Sequence, residues 1–156
     1  KPRYTITGIA GKKGFAAINI EKDMMNAEIG FGRKVLEVLE NYDISFEHMP
    51  SGIDAMCVIV PTEALEGKRE QLLRSIQRQT HADHIEIQDG MCLIAVVGRG
   101  MVRAKGTAAR VCDAVSGAGV NIRMIDQGSS ELNIILGVDN DAYETALRAI
   151  FREFVR

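Results

Sequence analysis

The sequence predicts an α+β fold in which one chain contains two similar βαββαβ units, each an antiparallel sheet with helices on one face. The main observation is an internal repeat, in which four residues recur with unchanged spacing: Gly30, Val35, Gly52 and Ile59 return as Gly106, Val111, Gly128 and Ile135. A period of about half the chain is too long for a solenoid repeat and suits a duplicated small domain. The second observation is size, since 156 residues with 46% hydrophobic content can bury roughly 70% of the unfolded surface.

The first copy alternates strand and helix patterns. Its first helix has apolar residues at helical spacing, including Val35 and Leu39. Pro50 and Gly52 mark a turn between two strands, and Thr62 can cap the next helix. The predicted elements are strand 15–20, helix 30–42, strands 44–49 and 54–60, helix 62–79 and strand 84–88.

The second copy repeats this order but ends one strand short. Its predicted elements are strand 91–97, helix 106–118, strands 121–126 and 131–138, and helix 141–154. The unused strand pattern at 4–10, followed by a connector at 11–14, can complete the second sheet, because a missing edge strand would expose apolar surface. We therefore expect a domain 15–89 inserted in a second domain made of 1–14 plus 90–156.

Composition excludes several classes of protein. The net charge is −2 and 19 basic residues are scattered among 21 acidic ones, so no basic patch for nucleic acid is indicated. No apolar run reaches the roughly 18 residues of a membrane helix. Three separated cysteines without a CxxC motif favour a reducing, cytoplasmic compartment. Because the chain lacks an initiator Met and a strand pattern begins almost at once, we expect a piece of a longer protein.

Nucleotide-binding motifs fail on spacing. Gly98 and Gly100 follow a strand, but Arg103 stands where the third glycine of GxGxxG belongs. A phosphate-binding loop fails as well, because Lys105 precedes Gly106 instead of following a glycine. The sequence therefore does not predict nucleotide binding.

Metal and nucleophile candidates are also weak. His81 and His84 have no second ligand cluster at metal spacing and are read as solvated loop residues. Cys57 with His48 as base is less plausible than a packed thiol, because Cys57 lies in an apolar strand whose repeat counterpart is Asn133. We predict no catalytic residues and no metal site.

A binding function is indicated by the loops that precede the first helix of each copy. Residues 22–29 and 99–105 are each closed by a glycine at the helix start, Gly30 and Gly106. Glycine permits close backbone approach, and a helix N-terminus offers unpaired N–H groups and partial positive charge to a carboxylate.

An amino acid bound there also needs an acid for its ammonium group. Glu47 on the adjacent strand, and Glu28 in the loop, are candidates, with Ser45 and Ser51 supplying hydroxyls. The alternative reading is purely structural: Gly30 makes a tight turn and Glu47 is an exposed strand residue.

Two segments resemble one protein family. Residues 43–54, DISFEHMPSGID, and residues 121–133, NIRMIDQGSSELN, resemble the C-terminal regulatory region of aspartate kinases of the lysine- and threonine-sensitive type. The resemblance covers the whole chain. It implies tandem ACT domains, which are ferredoxin-like βαββαβ units, with one inserted in the other.

The resemblance implies a regulatory role. In that family the region binds the end products lysine, threonine or both, and mediates feedback inhibition of aspartate phosphorylation in lysine, threonine and methionine biosynthesis. The catalytic kinase domain lies N-terminal and opens with a Lys-Phe-Gly-Gly-Thr type motif, which has no match here. ATP and magnesium would belong to that domain, so this chain is expected to be non-catalytic alone.

The resemblance also assigns effector contacts by position. They fall on Met25, Asn26, Glu28, Gly30, Phe31, Gly32, Ser45, Phe46, Glu47 and Ser51, with Asn121 and Ile122 used when the effector lies between domains. Glu47 stands where better-known lysine-sensitive relatives have Asp, and Ala27 and Ile29 replace expected polar residues. Lysine is thus one candidate effector and threonine the other.

The family pairs its ACT domains across a two-fold axis, which implies a homodimer with effector sites at the interface. Two other readings remain open. A free-standing double-ACT sensor could act on another protein, and a dimerisation module could bind no small molecule. An independent enzyme is the least favoured reading, because no acid, base, nucleophile and metal assemble from these residues.

Overall fold

The computed structural model describes residues 6–98, 104–128 and 133–155. Within them the chain forms five strands and four α-helices. The strands are β1 (Gly8–Glu21), β2 (Ala55–Pro61), β3 (His84–Val97), β4 (Met124–Asp126) and β5 (Asn133–Asp139). The helices are α1 (Phe31–Asn41), α2 (Arg69–Thr80), α3 (Thr107–Gly117) and α4 (Tyr143–Phe154). The strand order is β2-β1-β3-β5-β4, and the pairs β1/β2, β3/β5 and β4/β5 are antiparallel.

The chain divides into two compact units. The first unit is Gly14–Asp89, and the second unit combines Lys1–Lys13 with Gly90–Arg156. None of the helices in the described residues has the length and apolar character that spanning a membrane requires.

The first unit buries one face of its strands under α1 and α2. Alternate residues of β1, such as Ile18 and Ile20, enter the same core as Val58 of β2. Helix α1 contributes Val35 and the rest of its apolar stripe, as its spacing predicts. The buried set also includes Ala16, Met25, Phe31, Val38, Leu39, Ile44, Met56, Val60, Leu65, Leu72, Ile76 and Ala82.

The second unit has an equivalent core of its own. Alternate residues of β3 and β5 lie beneath α3 and α4. Ile6 is buried in this core, and the neighbouring Thr7 donates its N–H to the carbonyl of Val97 at 2.7 Å. The core includes Cys92, Ile94, Val96, Val111, Val115, Ile134, Leu136, Val138, Ala146 and Ile150.

Two predicted strand breaks are wrong. The expected connector 11–14 lies inside β1, and the expected strands 84–88 and 91–97 form one strand, β3. Gly14 and Gly90 have φ angles of +89° and +72°, which glycine adopts without a Cβ clash. These two glycines therefore allow each long strand to continue.

The predicted strand 44–49 is also wrong in detail. Only isolated bridges, His48 to Ile59 and Ser51 to Met56, pair this segment with β2. The turn follows Gly52, whose N–H donates to the carbonyl of Ala55 at 2.7 Å. The segment still lies beside β2, as the hairpin prediction requires.

The other differences lie at element ends. The predicted helix 62–79 divides into a 3-10 turn, Thr62–Leu65, and α2, because Gly67 between them has a φ of +70°. The strand predicted at 121–126 shortens to β4. Residues 4–5 and 131–132 of two predicted strands lie outside the described residues.

Candidate functional site

The 22–30 loop of the first unit is held by backbone hydrogen bonds to the segment that precedes β2. Lys22 donates its N–H to the carbonyl of Asp54 at 2.9 Å, and Asn26 donates to the carbonyl of Ile53 at 3.0 Å. Met25 begins a 3-10 turn and is 4% exposed, so it fixes the loop to the core. The conformation of the loop is therefore fixed by these hydrogen bonds and by the buried Met25 side chain.

The loop ends at an uncapped helix. Gly30 has a φ of +82° and precedes α1, and no side chain caps the first turn. The N–H groups of a first helical turn lack intrahelical partners and carry partial positive charge, which favours an anion. Added at Gly30, a Cβ would meet only Arg33 Nε, at 3.8 Å. Glycine is therefore required by its backbone angle and not by a close approach within the chain.

A matched pair of glycine variants tests this interpretation. Gly30→Ala is expected to lower the free energy of unfolding by about 1 to 2 kcal/mol, since an L residue is strained at positive φ. Gly32→Ala is the control, because Gly32 lies in α1 with helical backbone and its added Cβ would lie 3.8 Å from Met56 Cε. That control is expected to gain about 0.5 kcal/mol. Equal losses in denaturant titrations of both variants would contradict the backbone explanation.

A three-residue ion network lies across the loop. Lys22 Nζ donates to Glu28 Oε1 at 2.9 Å and to the carbonyl of Thr80 at 2.6 Å, and lies 5.8 Å from the centroid of the Phe31 ring. Lys34 Nζ is 3.9 Å from the same Glu28 oxygen. The hydrogen bond from Lys22 holds the pKa of Glu28 below its usual range. The Glu28 carboxylate therefore already has an ion-pair partner, Lys22.

This network predicts a pH dependence of stability. Because the pKa of Glu28 is lower in the folded chain than its ordinary value of 4.5, its stabilisation is present above that value and is lost as pH falls through the folded pKa. The stability advantage of the wild type over Glu28→Gln should therefore shrink between neutral and strongly acidic pH. Denaturant titrations across that range measure it, with Glu37→Gln, an exposed helix ion-pair variant, as control. A pH-independent advantage would contradict the assignment.

The segment beside β2 supplies the second set of predicted residues. Glu47 donates its N–H to the carbonyl of Ile59 at 2.8 Å, which fixes the backbone of the segment. The side chains of Ser45, Phe46, Glu47 and Ser51 are exposed. Within the part of the chain that the structure describes, the Glu47 carboxylate forms no ion pair, unlike that of Glu28.

The structure groups the twelve predicted contacts in three places. The 22–30 loop and the start of α1 hold Met25, Asn26, Glu28, Gly30, Phe31 and Gly32; the segment beside β2 holds Ser45, Phe46, Glu47 and Ser51; the second unit holds Asn121 and Ile122. The side chains of Met25 and Phe31 are buried in the first core, and Ile122 packs against the second core. Met25 and Phe31 therefore have little exposed surface, whereas Ile122 is half-buried.

Residues of the first two groups border two different cavities of the described part of the chain. Ser51 and Gly52 border a surface cavity of about 450 Å³ that also contains Glu21, Cys57 and Glu86. Another cavity, of about 660 Å³, lies against α1 and includes Gly32, Leu36 and Met49. Cavities of this size can accept a small ligand.

The second copy has the same helix start. Gly106 has a φ of +79° and precedes α3, which lacks a side-chain cap. Residues 99–103 of the predicted loop 99–105 lie outside the described residues. Among the described residues, no group of three or more His, Cys, Asp or Glu could hold a metal ion.

Sequence reasoning missed Lys22, Lys34 and Thr80. Lys22 and Lys34 each lie six positions from Glu28. Side chains that pair on a helix are three or four positions apart, so this separation gives no sign of an ion pair. Thr80 is 58 positions from Lys22. No local pattern in the sequence could have indicated these contacts.

Comparison with known proteins relates the chain to one group of enzymes. Residues 94–154 match the family described as ACT domain. The chain is 41% identical over 150 residues to Aspartokinase 3 of Bacillus subtilis, an alignment covering 96% of this chain and 33% of the relative. The chain thus spans about a third of the length of that curated relative.

Solved structures are similar as well. The aspartate kinase of Clostridium acetobutylicum, described as an important allosteric enzyme, matches with a TM-score of 0.92 and 49% identity, over 96% of this chain and 35% of that one. E. coli aspartokinase III in complex with lysine and aspartate matches with a TM-score of 0.74 and 19% identity, over 100% of this chain and 35% of that one. The predicted ferredoxin-like α+β fold, with antiparallel strands and helices, is confirmed.

Proposed function

We propose that this chain, an ACT-domain region homologous to the regulatory domains of aspartate kinases, senses an end-product amino acid and transmits feedback inhibition to a kinase domain. The single observation that carries the proposal is the uncapped start of α1 at Gly30, in a loop fastened to the segment that leads into β2. This arrangement offers positive partial charge at the start of α1, and the same unit carries an exposed acid, Glu47, in the segment beside β2.

The effector that we infer is lysine. Its carboxylate would lie at the N-terminus of α1, where the N–H of Phe31 already donates to the carbonyl of Glu28 at 3.3 Å and the N–H groups of Gly32 and Arg33 would donate to the ligand. Its α-ammonium would pair with Glu47, which is exposed and has no ion-pair partner among the described residues, whereas Lys22 already engages Glu28. E. coli aspartokinase III, of which this chain matches 35% in fold, has been solved in complex with lysine and aspartate. Threonine, alone or with lysine, is the alternative effector.

Regulation would act through assembly. We propose two ACT domains, 15–89 and 1–14 plus 90–156, in a homodimer whose two-fold axis relates paired effector sites. An effector with higher affinity for one arrangement of these domains shifts the population toward it, and a coupling of about 1 to 3 kcal/mol suffices for useful inhibition. In the longer protein, that arrangement would hold the ATP-dependent phosphorylation of aspartate in its inactive state.

A ligand screen by thermal unfolding tests the proposal. The chain is heated with lysine, threonine, their mixture, and methionine as control, because a ligand at 100 times its Kd stabilises by about 2.7 kcal/mol. Selective stabilisation by lysine or threonine is expected. No response to any of them would favour the dimerisation-module reading, and sedimentation with and without lysine tests the dimer.

A further inference from the structure

We propose that the 22–30 loop contains a binding site for a primary ammonium group, which the chain's own Lys22 fills until the side-chain ammonium of a lysine effector displaces it. The displacement rests on the proposed function, whereas the existence of the ammonium site does not. The two ammonium groups of lysine would then pair with different acids, the α-ammonium with Glu47 and the side-chain ammonium with Glu28.

The contacts of Lys22 are those by which proteins recognise an ammonium ion. A carboxylate oxygen of Glu28 and the carbonyl of Thr80 accept two of its N–H donors at 2.9 and 2.6 Å. The ring of Phe31 lies 5.8 Å away, within cation-π distance. The second carboxylate oxygen, Glu28 Oε2, is buried and has no hydrogen-bond partner in the described residues. The site thus has a further acceptor that Lys22 does not use.

This site differs from an ordinary surface ion pair. The side chains of Lys22 and Glu28 are 20% and 30% exposed, compared with 70% and 46% for the helix pair Arg33 and Glu37. Lys34 is 29% exposed and faces the same carboxylate, but at 3.9 Å. Lys22 is therefore the internal ligand of the site, and Lys34 is a neighbouring charge that serves as a matched control.

Displacing Lys22 would change how the loop is held. Its bond to Thr80 joins the loop to the C-terminal end of α2, in addition to the bond from the Asp23 N–H to Asp83 Oδ2 at 2.8 Å. An ammonium group that took its place would free this link, and an amino acid whose α-ammonium pairs with Glu47 needs a second ammonium group to do so. Threonine has one ammonium group, so Lys22 distinguishes the two candidate effectors.

Chemical rescue tests whether the site exists. Lys22→Ala removes a propylammonium-sized group, so n-propylammonium chloride is added to this variant, with 1-propanol and sodium chloride as controls. We expect Lys22→Ala to unfold at a lower Tm, and n-propylammonium to restore part of the loss. Lys34→Ala should show no such restoration. If n-propylammonium stabilises Lys22→Ala no more than Lys34→Ala, the ammonium site is refuted.

Measuring lysine binding tests whether lysine displaces the side chain of Lys22. A second variant, Lys22→Met, is used so that the test does not depend on the folding of Lys22→Ala. Lys22→Met keeps an apolar stem and removes the internal ammonium. The apparent Kd equals the intrinsic Kd divided by the fraction of molecules whose ammonium site is open. If Lys22 leaves the site open in about 10% of the molecules, removing its ammonium group tightens lysine binding about tenfold. Threonine affinity should not change. Unchanged or weaker lysine binding by Lys22→Met would contradict displacement.

The two measurements separate the inference from the proposed function. Wild-type binding of lysine without rescue of Lys22→Ala overturns the ammonium site and leaves the sensor proposal intact. Rescue without wild-type binding of any amino acid supports the ammonium site and overturns the sensor proposal, and displacement with it.

Discussion

Glu47→Ala is expected to weaken lysine binding about tenfold to a hundredfold, because a hydrogen bond to a charged group contributes about 1.5 to 3 kcal/mol. Glu47 is exposed in the segment beside β2, and its backbone is fixed by the bond to Ile59. The substitution removes the acid while the segment keeps its backbone bonds. Calorimetric titration of wild type and variant with lysine measures the loss.

Glu66→Ala is the control for this experiment. Glu66 is also an exposed acid of the first unit but lies after the 3-10 turn Thr62–Leu65, away from the predicted contacts. It changes the net charge by the same amount and should leave lysine affinity unchanged. If both variants bind lysine as the wild type does, Glu47 is not the partner of the effector ammonium.

Gly137→Val is expected to lower the free energy of unfolding by about 3 kcal/mol, since overpacking a filled site forces side chains and backbone to shift. Gly137 lies in β5, and an added Cβ would approach Met91 Sδ to 2.8 Å and Met124 Cβ to 2.9 Å. The Met124 Cβ cannot move without its backbone, so relaxation is limited. Denaturant titration measures the change.

Gly117→Ala provides the opposite case. Gly117 ends α3, and its added Cβ would meet nothing within 4 Å. Alanine is the better helix former, so this variant should be slightly more stable than wild type. A stability of Gly137→Val close to that of Gly117→Ala would show that the face of β5 opposite the second core, where Met91 and Met124 lie, accommodates the added volume.

The elements whose apolar spacing is regular were predictable. Helix α1 follows from the spacing of Val35 and Leu39, and β5 follows from its apolar run with Ile134 and Leu136. The glycine at each helix start was predicted from the repeat, and Gly30 and Gly106 both have the left-handed backbone that favours glycine.

The continuous strands were not predictable for a physical reason. Residues 11–14 of β1 contain two glycines and two lysines, which give no apolar alternation to mark a strand. Pairing with neighbouring strands determines their conformation, and that pairing depends on residues far away in sequence. The split of the second predicted helix at Gly67 depends in the same way on a backbone angle that composition does not specify.

The sequence predicted which segments form the candidate site, but it did not predict the ion pairs and hydrogen bonds between their side chains. Gly30, Glu28 and Glu47 were predicted from loop position and resemblance. That Glu28 is engaged while Glu47 has no ion pair among the described residues follows from Lys22, which also contacts Thr80, 58 positions away. Such a contact arises only when the chain has folded, so the availability of each acid could not be predicted from local sequence.

Calorimetric titration of the 156-residue chain with lysine, and with threonine in parallel, tests the central claim most directly. The sensor account predicts saturable binding of lysine that Glu47→Ala weakens and Glu66→Ala does not. Absence of saturable heat with either amino acid at millimolar concentration, in a chain that is folded, would contradict the claim that it senses an end product.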